Sequence, residues 1–103
     1  VTPSTPLTGK QRRHLRALAH HLEPVVLLGK LGVTDGVVDA TRSALETHEL
    51  VKVKLGKECP STLDEVSDAL AAGTGAHIVG SIGKTLLVYL RHRSEPKINL
   101  PRA

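Results

Sequence analysis

Pro24-Val25-Val26-Leu27-Leu28-Gly29-Lys30-Leu31-Gly32-Val33-Thr34-Asp35-Gly36 is the stretch on which the reading of this chain turns. The run from Pro24 to Leu28 has the apolar, β-branched character of a strand. Thr34 stands where a helix N-cap belongs. The junction between them is Gly29-Lys30-Leu31-Gly32. Two glycines without Cβ atoms let a backbone approach another chain closely. The amides that follow sit at a helix start, where an anion is favoured. Lys30 adds a positive charge at the tip. A loop of this kind in a small basic protein suits the sugar-phosphate backbone of a nucleic acid.

Working outward, the strand is apolar on both faces, which predicts a central strand buried on both sides. Upstream, Thr8 and Gln11 form a capping-box pattern. Leu15, Leu18, Ala19 and Leu22 then recur at helical spacing, predicting a helix over 9–22 that Pro24 closes. Its other face carries Lys10, Arg13 and Arg16. Downstream, Val37, Val38, Thr41, Ala44 and Leu45 line one face of a second helix ending at His48-Glu49. Leu50 to Leu55 alternates, with Val51, Val53 and Leu55 on one side and Lys52 and Lys54 on the other, as a half-buried strand does. After a loop over 56–60, Ser61 or Thr62 can cap a third helix, with Leu63, Val66 and Leu70 inward and Gly73 and Gly75 at its end. His77–Ile82 and Thr85–Arg91 read as a hairpin around Gly83-Lys84, whose Gly-x order suits a type II′ turn.

The order is αβαβαββ. It predicts an α/β fold with a four-stranded mixed sheet. Two consecutive right-handed βαβ units supply parallel pairing, and the hairpin adds an antiparallel strand. Helices two and three cover one face, and the N-terminal helix covers part of the other. Residues 1–7 read as a flexible leader, 8–91 as the domain, and 92–103 as a basic tail lying extended over the surface.

The 103 residues carry a net charge of +4, with a pI near 9.6. The charge is segregated. Lys10, Arg12, Arg13 and Arg16 face no acid upstream of Glu23. Arg91, Arg93, Lys97 and Arg102 oppose only Glu95 at the other end. The middle of the chain is net acidic. If the two ends fold onto one side they form a phosphate-binding patch. Tyr89 is the only aromatic residue apart from the histidines. The core must therefore be aliphatic, and single-strand binders that stack bases on aromatic rings are disfavoured as a class. Cys59 is the only cysteine, so no intrachain disulfide forms. That suits a reducing compartment, and Cys59 reads as an inert surface thiol. No apolar run approaches the roughly 18 residues of a membrane span. The expectation is a cytoplasmic protein.

Other motifs carry less. Gly80-Ser-Ile-Gly83-Lys84-Thr85 has a phosphate-loop flavour, but a Walker A motif needs glycine at 78, where Ile78 stands, and a helix after it. Lys84 is better read as a second phosphate contact. The six histidines lack metal-ligand spacing. Asp35 and Asp39, and Asp64, Glu65 and Asp68, read as solvated helix faces. No nucleophile elbow or oxyanion loop is visible. No cofactor, metal or catalytic residue is expected.

The stretch 24–36, Glu49-Leu-Val-Lys-Val-Lys54, Gly83-Lys-Thr-Leu-Leu-Val-Tyr89 and Lys97-Ile-Asn-Leu-Pro-Arg102 occur in order across nearly the whole chain. Together they resemble the CRM domain, and in particular its stand-alone bacterial form, the YhbY family. The resemblance implies a fold similar to the C-terminal domain of translation initiation factor three. It implies RNA binding through the loop Gly29, Lys30, Leu31 and Gly32 and through a basic surface, carried onto Lys10, Arg13, Arg16, Lys52, Lys54 and Lys84. It further implies association with ribosomal RNA in precursors of the large ribosomal subunit. The expected protein is a non-enzymatic monomer acting in ribosome assembly. The alternative is a protein-interaction module that docks on a ribosomal protein or assembly factor through Leu31, Val33, Ile98 and Leu100.

Overall fold

Three threonines start the three helices. In the computed structural model, which describes residues 7–91 and Ile98, Thr8 caps α1 (Gly9–Ala19), Thr34 caps α2 (Asp35–His48) and Thr62 caps α3 (Leu63–Thr74). The expected leader before Leu7, and the expected extended tail apart from Ile98, lie outside the described residues. Each capping hydroxyl accepts the N–H three residues on. Thr8 with Gln11, and Thr62 with Glu65, close full capping boxes. The hydrogen bonds from Thr62 hold the Glu65 carboxyl below its ordinary range. The strands are β1 (Val26–Leu28), β2 (Leu50–Leu55), β3 (His77–Ile82) and β4 (Thr85–Tyr89). Helix α1 is shorter than its apolar spacing suggests. Beyond Ala19 the N–H groups of His21 and Leu22 bond three residues back instead of four, so the helix tightens into a turn.

The sheet order is β1-β2-β4-β3. β1 pairs parallel with β2, whereas β4 pairs antiparallel with both β2 and β3. Two expectations are corrected here. The second βαβ unit is split, because β4 inserts between β2 and β3. And β1 is an edge strand instead of a central one. Its inward residues Val26 and Leu28 are buried, but Leu27 is 67% exposed. Four consecutive apolar residues need not mean two buried faces when a helix covers only one of them.

Helices α2 and α3 close one face of the sheet over Val26, Leu28, Val51, Val53, Leu55, Leu86 and Val88, with Leu45, Val66 and Leu70 inserted from above. The two helices meet at Gly73, which lies inside α3 instead of ending it. A methyl group there would stand 2.5 Å from a Val38 methyl of α2. The left-handed C-cap is Gly75. On the other face, α1 sets Leu15 and Ala19 against Leu50, Val79, Leu87 and Tyr89, and Leu7 and Ile98 pack on this second cluster. Glu49 joins the layers. It is fully buried at φ 62°. Its carbonyl accepts the Leu90 N–H, and its carboxylate accepts the Ile98 N–H at 2.8 Å. Burial raises the Tyr89 pKa, and the Glu49 charge raises it further.

Candidate nucleic-acid interface

The β1–α2 loop, the β2–α3 loop and the β3–β4 turn meet at one end of the sheet, because β1, β2 and β3 all finish there and β4 begins there. Main-chain bonds tie them together. The Gly56 N–H donates to the Leu28 carbonyl at 2.8 Å, and the Leu55 N–H to the Lys84 carbonyl at 2.9 Å. Gly56 must be small: a methyl group would come within 2.9 Å of the Leu28 carbonyl oxygen.

Within the first loop, the Gly32 N–H closes a turn onto the Gly29 carbonyl at 3.0 Å. The two glycines are not equivalent. Gly32 has φ +68°, and an added Cβ would lie 2.5 Å from Ser61 Oγ and 3.3 Å from Pro60 Cγ. Ser61 Oγ in turn accepts the Val33 N–H at 3.3 Å. Gly32 is therefore required by the fold. Gly29 has neither a positive φ nor any atom within 4 Å of an added Cβ. Among the described residues nothing requires glycine at 29. Between them Leu31 is 85% exposed, and Lys30 reaches only a long, exposed contact with Glu58 at 3.9 Å.

The helix start after the loop is less open to an anion than the sequence suggests. Thr34 Oγ1 takes the Val37 N–H, Ser61 takes that of Val33, and the Asp35 carboxylate sits in the first turn. A groove of about 480 Å³ lies beside the loop, lined by Gly56, Cys59, Ser61, Thr62, Asp64 and Lys84. Cys59 is a free, half-buried thiol that packs on the core from this groove and donates to the Ser61 carbonyl at 3.7 Å.

The cations sit on the α1 side of the sheet. Lys52 and Lys54 project from β2 on the face opposite Val51 and Val53. Lys52 is partly engaged, its ammonium donating to the Leu22 carbonyl at 2.9 Å. Lys84 is exposed at the hairpin tip, where Gly83 at φ 60° opens the turn with Lys84 at an ordinary φ, as a type II′ turn requires. Lys10, Arg13 and Arg16 are all exposed on α1. Arg16 alone of these three is seen lying on the sheet, across Gly80, where a Cβ would stand 3.1 Å from Arg16 Nε. The structure thus places Arg16, Lys52 and Lys54 over one sheet face, with Lys84 and Lys30 at its loop end. Lys10 and Arg13 lie on the outward arc of α1. Gly80, Leu27 and Ser61 belong to this region and were not singled out for it from sequence. Their roles come from β4's central place and from the contact between Ser61 and Val33, which join distant parts of the chain. Neither leaves a local pattern. Among the described residues no group of three His, Cys, Asp or Glu side chains is placed to hold a metal, and no helix is long and apolar enough to cross a membrane.

The CRS1 / YhbY (CRM) domain family model matches residues 7–90. The chain is 40% identical over 95 residues to "Probable RNA-binding protein YqeI" of Bacillus subtilis, covering 92% of this chain and 99% of that protein. It is 44% identical over 98 residues to "RNA-binding protein" of Haemophilus influenzae, covering 95% and 98%. The solution structure of SAV1595 from Staphylococcus aureus has the same fold, with TM-score 0.76, 31% identity, and coverage of 93% of this chain and all of that one.

Proposed function

Since this chain belongs to the CRS1 / YhbY (CRM) domain family, we propose that it is a non-enzymatic RNA-binding protein of the cytoplasm. On this reading it acts as a monomer on ribosomal RNA in precursors of the large ribosomal subunit. Gly29, Lys30 and Leu31 press against the RNA backbone, whereas Gly32, expected to join them, is buried against Pro60 and Ser61 and sets the turn that presents them. Arg16, Lys52, Lys54 and Lys84 supply the adjacent phosphate contacts, with Lys10 and Arg13 as outer charges. The observation that carries the reading is Gly29. It is an exposed glycine at which an added Cβ would meet no described residue within 4 Å, in a loop that bears Lys30 and shares its end of the sheet with Lys84. A missing Cβ there leaves the backbone open to close approach by a partner from outside. Two relatives named as RNA-binding proteins match this chain almost end to end, which supports RNA as the partner.

The test is binding to a ribosomal RNA fragment across a salt series. Neutralising five phosphates gives a slope of log affinity against log salt of roughly −3.5 to −4.5. Lys30→Asp with Leu31→Asp abolishes binding and leaves the melting temperature within a few degrees. A flat salt response, or unchanged affinity in that variant, refutes the reading. Crosslinking in cells and mapping of the contacted nucleotides tests the ribosomal assignment.

A further inference from the structure

Helix α1 covers only half of its sheet face. Its apolar contacts stop at the row where Lys52, Leu87 and Gly80 stand side by side. The next row toward the loops is Leu27, Lys54, Thr85 and Ile82, one from each strand in pairing register and all on the same face. No element of the described chain covers it: Leu27 is 67% exposed and Ile82 42% exposed. Four strands about 4.8 Å apart make this row roughly 14 Å wide. Arg16, laid on Gly80, and Lys52 border it on the α1 side, and Lys84 and the Gly29–Gly32 loop stand at the open end. The apolar surface continues along β1. Leu18, Leu22 and Val25 are exposed and line a groove of about 500 Å³ beside Lys52. All the large aliphatic side chains exposed among the described residues lie on this side of the molecule or at the loop tip.

We infer that this open half-sheet is a platform for unpaired nucleotides, so that the RNA gripped by the loop is single-stranded over two or three bases. The inference rests on the reading that the loop holds RNA. The occupant must offer apolar faces and negative charge within the width of that one row. A duplex offers only the second. Its bases are stacked inside, its major groove is too narrow for side chains, and its outer surface is phosphate and hydroxyl. Seating Leu27 and Ile82 against that surface removes water from phosphates without removing it from a matching apolar area. An unpaired strand offers both: base faces for Leu27, Ile82 and the Thr85 methyl, and phosphates for Lys54, Arg16 and Lys84. With no aromatic ring in the row, base contact is by aliphatic packing and tolerates any base. An acidic amphipathic peptide satisfies the same charges but gives no role to the bare backbone at Gly29.

The experiment compares a 12-nucleotide unpaired RNA with the same strand annealed to its complement, at fixed salt, by fluorescence anisotropy. The full chain is expected to prefer the unpaired RNA at least tenfold. Leu27→Ser with Ile82→Ser should weaken unpaired-RNA binding five- to tenfold and leave duplex affinity unchanged, as should Leu27→Thr alone to a lesser degree. Both positions are exposed, and the threonine retains strand character, so a folded variant is available whatever the double change does. Equal or tighter duplex binding by the unmodified chain, or unaltered unpaired-RNA affinity in Leu27→Thr and the double variant, overturns the platform. If in either case Lys30→Asp with Leu31→Asp still abolishes binding of both RNA forms, the platform falls and the loop reading stands. Binding of an acidic peptide with no binding of either RNA form overturns both.

Discussion

Gly29 and Gly32 bracket one turn, yet the structure assigns them opposite reasons for being glycine, and alanine at each separates the two. At position 32, alanine must adopt φ near +68°, which costs an L-residue roughly 1–2 kcal/mol. Its methyl group must also displace Ser61 Oγ from 2.5 Å. That movement forfeits the Val33 N–H bond, about another 1 kcal/mol. Gly32→Ala should therefore destabilise by roughly 2–4 kcal/mol and lower the Tm by about 10 °C or more. At position 29 the methyl meets nothing and φ is ordinary. Gly29→Ala should change stability by no more than about 0.5 kcal/mol, while RNA affinity drops at least tenfold, about 1.4 kcal/mol. Urea unfolding and anisotropy on the two variants give all four numbers. Gly32→Ala combined with Ser61→Ala should cost less than the sum of the single changes, because the serine is then no longer in the way. The reasoning fails if Gly32→Ala is neutral, or if Gly29→Ala destabilises as much as Gly32→Ala does.

Three further outcomes follow from packing and charge. Gly80→Val should push the Arg16 guanidinium off β3 and reduce the salt slope of RNA binding by about one, as Arg16→Ala does; the two changes together should be no worse than Arg16→Ala alone. Gly73→Ala would ordinarily favour a helix by up to about 1 kcal/mol. Here the Val38 methyl opposes it, so a net loss of roughly 1–2 kcal/mol is expected, relieved by Val38→Ala and read by urea unfolding. The His77 pKa lies below its ordinary 6.5, first because burial disfavours the imidazolium and then because the Arg12 charge does. The unfolded chain therefore binds the proton more readily, so stability rises with pH through the interval just below 6.5 and falls as the medium is acidified. In Tm measurements between about pH 5 and 7.5, His77→Gln should flatten that dependence.

Local chemistry made much of this architecture readable from the chain. The caps at Thr8 and Thr34, the alternation of Val51, Val53 and Leu55 with Lys52 and Lys54, and the turn at Gly83 each follow from patterns within a few residues, whereas Ser61 and Thr62 read equally well as the cap of the third helix. Strand order did not. Val25 to Leu28 looks the same whether the strand is central or at an edge. Only the position of β4, fixed by the pairing of Lys54 with the distant Thr85, decides between them. The candidate site divides in the same way. Gly29–Gly32 and the lysines of β2 stand out in the sequence. The seat of Arg16 on Gly80, the Ser61 support beneath Gly32 and the open row ending in Leu27 and Ile82 arise from long-range contacts and from how far α1 extends.

The central place of β4 also governs how the molecule is made. Among the described strands it is the last to be synthesised, and β3 has no other partner in the sheet. A chain that lacks residues 85–89 can pair β1 with β2, but its β3 has only the helices α1 and α3 to pack on. Completing the sheet thus requires β4 to enter between two open edges, those of β2 and β3.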